Sequence, residues 1–198
     1  MKLFIKNQES YSRLELLLRF FFGWLYIGIP HFFLLFFVSL WATILMIVAF
    51  FAVLVTGRYP EGMFNFQAGL MRWNLRISAR TFNLVDGYPS FGINGKDDNV
   101  ILEIQRPEKL SRGILLLRFF FGWLYVGIPH GFILFFREIA TCVIAFIAWF
   151  IVLFTGKYPE SFHAFVTGLF RWTNRLSLYI MFMTDKYPPF TGKEITEE

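Results

Sequence analysis

The chain has 198 residues, of which 56% are hydrophobic and only 17% charged, with 28 Phe and a formal net charge of +5. A soluble domain averages about 45–50% apolar and about 25% charged, so the excess here points away from a soluble protein and toward an integral membrane protein. The single cysteine, Cys142, leaves no disulfide within the chain and no zinc site built on Cys.

The first fifteen residues do not form a cleavable signal peptide. The apolar run that follows starts late, is too long for a signal core and lacks an Ala-x-Ala exit, so the first helix is expected to be retained. Lys2 to Lys6 is a short apolar-rich run before polar residues, the pattern of a strand outside the bilayer.

The stretch from Phe20 to Val55 holds almost nothing that water would favour, and Phe119 to Phe154 repeats it; each run is 36 residues long. One helix of that length measures about 54 Å, against a bilayer core of about 30 Å. A helical hairpin is therefore expected in each half, with helices near 14–36 and 40–56, and near 113–135 and 139–155. The turn is placed where the second run reads Phe135-Phe136-Arg137-Glu138. Pro30 and Pro129 should kink the first helix of each hairpin. Gly23 and Gly28, with Gly122 and Gly127, would permit close helix approach.

The two runs belong to a longer repeat. RFFFGWLYIGIPH, from Arg19 to His31, returns as RFFFGWLYVGIPH from Arg118 to His130, and only Ile27 and Val126 differ. The offset of 99 residues holds without a gap, so 1–99 and 100–198 are two copies of one unit. Ile101 to Gln105 matches the opening strand, and whether the two strands pair is left open.

After each apolar run, Gly57 or Gly156 followed by a Tyr-Pro-Glu marks a helix exit. A further helix is expected near 63–84 and near 162–183. In the first copy Asn65, Gly69, Arg72, Arg76, Arg80 and Asn83 share one face. A basic stripe beside a broad apolar face is the pattern of a helix lying at the membrane interface. The second copy keeps Arg171 and Arg175 and has Tyr179 in place of Arg80. The rival reading makes these segments cross the membrane. It would place three arginines near the bilayer centre at about 2.5–3.5 kcal/mol each.

Of the 19 Lys and Arg, only Arg137 falls at a hairpin tip. The other 18 lie on or near the side of the termini, so both termini should be cytoplasmic. The fold class expected is an all-α integral membrane protein. It has two parallel-related repeats, each a transmembrane helical hairpin plus an amphipathic interfacial helix, with short cytoplasmic strands.

Three sets of residues could carry function. Arg72, Arg76, Arg80, Arg171 and Arg175, with Trp73 and Trp172 at the same depth, could bind anionic phospholipid; plain anchoring of the helices is the alternative. Arg19 and Arg118 could pair with Asp86 and Asp185, or with Glu61 and Glu160, in an interfacial network, and otherwise would snorkel to the headgroups. His31 and His130 could face each other across the repeat axis and ligate a haem or metal, and otherwise are packing histidines. His163 has no counterpart in the first copy and receives no role. No Gly-Lys-Ser/Thr phosphate loop occurs and no catalytic set can be assembled, so no enzyme is expected and no cofactor beyond bound phospholipid. The positive charge follows the membrane rule, which argues against nucleic acid as a partner.

Each unit resembles the bacterial membrane family catalogued as domain of unknown function 4389. The marks are the Arg-bearing first helix ending in Ile-Pro-His, Phe-Thr-Gly-Lys-Tyr-Pro-Glu at 154–160, Arg-Trp at 171–172 and Thr-Asp-Lys-Tyr-Pro-Pro-Phe at 184–190. The first copy departs at its end, with Val85-Asp86-Gly87-Tyr88-Pro89-Ser90-Phe91. The resemblance implies a small bacterial inner-membrane protein and no settled activity. The expected function is an accessory or scaffold subunit of a larger membrane complex with other integral membrane proteins. Lipid binding or transport stands second and a haem or metal redox subunit third.

Overall fold

Ser12 opens the first long helix, its Oγ accepting from the Glu15 N–H at 3.3 Å. Gly57, left-handed at φ 68°, closes it. Between them a computed structural model, which describes residues 1–195, has one helical run, Arg13–Thr56. It consists of an α segment Arg13–Gly23, a π turn Trp24–Gly28 and an α segment Ile29–Thr56. The second copy repeats this over Arg112–Thr155, with the π turn at Trp123–Gly127, Ser111 at its start and Gly156 at its end.

The expected hairpins are therefore corrected. No turn occurs at 36–40 or at 135–139. Two charges do not stop a helix as the left-handed Gly57 and Gly156 do, and no glycine stands there. Arg137 folds inward instead, donating to the Phe165 carbonyl at 3.1 Å with its guanidinium 4.5 Å from the Phe165 ring. The prolines are absorbed as well. Each lies just after a π turn, in which the Ile29 N–H reaches back five residues to the Trp24 carbonyl. Gly23 and Gly28 meet only their own helix, so they allow no close helix pairing.

A shorter inner helix follows in each copy, Glu61–Thr81 and Glu160–Ile180. It folds back under the long helix. Gln67 Nε2 donates to the Ala42 carbonyl at 2.6 Å, and the Trp73 indole N–H reaches His31. The two expected strands pair with each other, Lys2–Ile5 antiparallel to Val100–Glu103, in the register Lys2 to Glu103. Leu3, Ile5, Val100 and Leu102 point into the core while Lys2, Phe4, Ile101 and Glu103 are exposed, the alternation of a ribbon with one covered face.

The long helices thus form one layer and the inner helices the next. The ribbon lies against the inner helices, and the loops 84–99 and 183–195 run past them to reach the long helices at Tyr88 and Phe91 and at Tyr187 and Phe190. Ile93 crosses the first inner helix at Gly69, where an added Cβ would lie 2.8 Å from its carbonyl. The two long helices meet reciprocally, the start of each beside the end of the other. The Tyr11 N–H bonds the Gly156 carbonyl and the Leu110 N–H the Gly57 carbonyl, both at 2.8 Å. Phe20 packs on Trp149 and Phe50 on Phe119. These pairs interchange under the 99-residue offset, so the halves are related by a pseudo-two-fold axis.

Among the described residues, these two helices are long and apolar enough to cross a membrane. They are not the covered core helices of a soluble fold, because only 22% and 17% of their most apolar stretches are buried. The inner helices are a second correction. They are not surface helices with a basic stripe outward, for Arg76 and Arg80 are 2% and 4% exposed.

Candidate functional site

Three arrangements recur in both copies. The first ties the end of the inner helix to the start of the long one. Arg19 meets Asp86 at 2.7 Å and donates to the Val85 carbonyl at 2.7 Å. The other Asp86 oxygen accepts the Ser12 N–H at 2.7 Å. In the second copy Arg118 meets Asp185 at 3.0 Å, and Asp185 accepts the Ser111 N–H at 2.6 Å. One carboxylate thereby fixes both the first backbone donor of the long helix and an arginine two turns on. Arg118 also donates to the Tyr179 and Thr184 carbonyls and lies 4.0 Å from the centre of the Tyr179 ring. Glu61 lies near Arg106 instead, at 3.8 Å.

The second arrangement is a chain of aromatic hydrogen bonds at the proline. The indole N–H of Trp172 donates to His130 Nδ1 at 2.9 Å, and Trp73 does the same to His31 at 2.9 Å. A nitrogen that accepts carries no proton, so the other ring nitrogen holds it. His130 Nε2 then lies 3.2 Å from the Tyr187 hydroxyl, which donates onward to the Tyr125 carbonyl at 3.1 Å. That carbonyl stands four residues before Pro129, where the ring nitrogen offers no N–H. Tyr88 serves the Tyr26 carbonyl before Pro30 in the same way, at 3.0 Å. Each imidazole lies flat on a phenylalanine, His31 on Phe91 at 4.0 Å and His130 on Phe190 at 4.1 Å.

This corrects the expected use of His31 and His130 as ligands across the axis. Each is bonded within its own repeat, and its acceptor lone pair is occupied by an indole. Among the described residues no group of three or more His, Cys, Asp and Glu is placed to hold a metal ion.

The third arrangement is the arginine stripe, which faces the chain's own loops rather than lipid headgroups. Arg72 Nε donates to the Leu102 carbonyl at 2.9 Å. Arg76 donates to the Ser90 and Gly92 carbonyls, and Arg80 pairs with Asp97 at 2.5 Å. Arg171 holds the Gly192 carbonyl and Glu194, and Arg175 the Thr191 and Lys193 carbonyls. Trp73 and Trp172, both 2% exposed, point into the protein and not to the interface. The assignment of these seven residues to phospholipid is corrected accordingly. Burial lowers the pKa of Arg76 and of Arg175 below the ordinary guanidinium value. It likewise pushes the Tyr11 phenol up to about 12, in keeping with a layer that holds little water.

Sequence reasoning missed Tyr88, Tyr187, Phe91 and Phe190 as partners of the histidines. The signal was present, since Pro-His, Trp and Tyr-Pro recur at equal spacing in both copies. A different set of cations remains outward. Arg58, Lys109 and Arg112 line one open pocket at the end of the first long helix.

A family model described as Domain of unknown function (DUF4389) matches residues 13–92 and again residues 114–192. No curated protein and no solved structure matches the chain.

Proposed function

The chain belongs to this DUF4389 family in each of its halves, and from that premise we propose a non-enzymatic protein of the bacterial cytoplasmic membrane that serves as an accessory or scaffold subunit of a larger membrane assembly. The observation that carries the reading is the outer surface of the long helices. Phe32, Phe33, Phe36 and Phe37 are exposed in one copy, as are Phe132, Phe135 and Phe136 in the other. A continuous apolar surface of this extent is not kept in water. Flat aromatic faces also suit packing against other helices within lipid, where shape rather than hydrophobicity drives association. The inner arginines are bound to the chain's own carbonyls and carboxylates and hold the scaffold rather than a substrate. The excess of Lys and Arg on the loop layer supports a cytoplasmic position for that layer and for both termini.

The test is a photo-reactive residue at Phe36 or Phe135 in native membranes. The expected result is a chain that resists alkaline extraction and gives discrete adducts with other membrane proteins. Adducts with lipid alone at both positions would contradict a scaffold role. They would favour a second reading, binding of anionic phospholipid, which Arg58, Lys109 and Arg112 around one pocket support.

A further inference from the structure

We infer that the two long helices lie flat in the membrane, immersed in a single leaflet, so that the chain is held by one face of the bilayer and does not cross it. This rests on the membrane reading above and narrows it.

The first long helix is backed by the rest of the chain from its beginning to its end. At its beginning Arg19 is bound to Val85 and Asp86. At the π turn the Tyr26 carbonyl accepts from Tyr88. Midway His31 meets Trp73, and the Ala42 carbonyl accepts from Gln67. Near its end Val53 belongs to the same buried cluster as Phe64. The buried stripe Leu16, Ile27, His31, Ala42, Ala49 and Val53 therefore runs the whole length, and the opposite sector is apolar and exposed from Leu14 to Val55.

Behind that stripe lies charge. On the far side of the inner helix, Arg72 holds the ribbon and Arg80 pairs with Asp97, and Lys96, Asp98 and Glu103 are exposed. A long helix that crossed the bilayer would carry this charged layer through the hydrocarbon beside it, where exposed ionised groups are excluded. A helix lying flat keeps the whole layer in water.

Dimensions agree. The 44-residue helix has a contour of about 66 Å, twice the bilayer core of about 30 Å. Its diameter of about 10–12 Å is less than one leaflet. Glu138 is exposed only a few residues from the middle of the second long helix. In a crossing helix it would stand near the bilayer centre; in a flat one it is within a helix diameter of the headgroups. Exposed cations stand at the rim, beside the exposed Glu61, Glu108 and Glu160. Arg13 and Lys157 are exposed at one end of the helix pair and Arg58, Lys109 and Arg112 at the other, and among the described residues none has a carboxylate partner. A face that is apolar in the middle and carries exposed cations without carboxylate partners at both ends matches one leaflet rimmed by anionic headgroups.

The test uses a Cys142→Ser chain in vesicles of phosphatidylcholine and phosphatidylglycerol. Nitroxides are placed at Leu18, Phe33 and Phe51, all exposed on the outer sector. Their depths, read from oxygen and nickel-chelate accessibility, are expected to agree to about a helix radius of 5 Å, within one leaflet. A depth that passes through the midplane between Leu18 and Phe51 would overturn the inference. So would labelling of Ser39→Cys or Glu138→Cys by an impermeant maleimide from the face opposite Asp98→Cys. A chain that does not float with the vesicles overturns the membrane reading itself, which separates the two failures.

Discussion

Asp185→Ala is expected to destabilise the folded chain by about 3 kcal/mol, the lower end of the cost of leaving a buried charge without its partner. Arg118 is 3% exposed at its side chain and Asp185 25%, so the arginine, not the aspartate, bears the loss. Two carbonyl acceptors from Tyr179 and Thr184 remain to it, but no counter-charge does. The same substitution removes the acceptor of the Ser111 N–H, and with it the link between the loop after the inner helix and the start of the long helix. Asp185→Asn keeps one oxygen, which can accept from the Ser111 N–H or from Arg118 but not from both in the present geometry, and should fall between wild type and alanine. Thermal unfolding in nanodiscs reads both. Equal stability of all three chains would show that the loop is held by its apolar contacts alone.

Tyr187→Phe is expected to cost about 1–3 kcal/mol, the range for a buried polar group left without a partner. Two groups lose their partner, the Tyr125 carbonyl and His130 Nε2. Tyr88→Phe should cost less, because the Tyr88 hydroxyl serves only the Tyr26 carbonyl and no bond joins it to His31. The cause can be isolated at Pro129. In a Pro129→Ala chain residue 129 again has an N–H four residues after the Tyr125 carbonyl. Tyr187→Phe should then cost measurably less than in the parent, though not nothing, since His130 still lacks its acceptor. The coupling between the two positions comes from a double-mutant cycle of unfolding free energies. Additive effects would mean that the hydroxyl does not stand in for the missing N–H.

Much of this architecture was readable in the residues. The 99-residue offset fixed the unit. Gly57 marked the end of the long helix, and the two opening runs proved to be strands paired with each other. Arg19 with Asp86 was one of two pairings that their shared depth at the edge of the apolar run allowed, the other being with Glu61. The hairpin did not hold, for a physical reason. Length asks for a break only where an apolar helix stands across the bilayer, and Arg137-Glu138 brings charge but no residue that ends a helix. The arginine stripe was legible as a face but not by what covers it. Its acceptors are backbone carbonyls of loops at 90–92 and 191–193, and a carbonyl is the same whatever residue carries it. Likewise Trp73 and His31 are 42 positions apart, and only the folding back of the inner helix brings them together.

The account depends most on one unbroken long helix per repeat, backed along its length by the inner layer. Amide hydrogen exchange in nanodiscs, resolved over residues 34–42 and 133–141, tests it most directly. Uniformly slow exchange through both stretches is the result expected of a continuous helix. Fast exchange confined to 36–40 and 135–139 would reveal a turn at those positions and contradict the account.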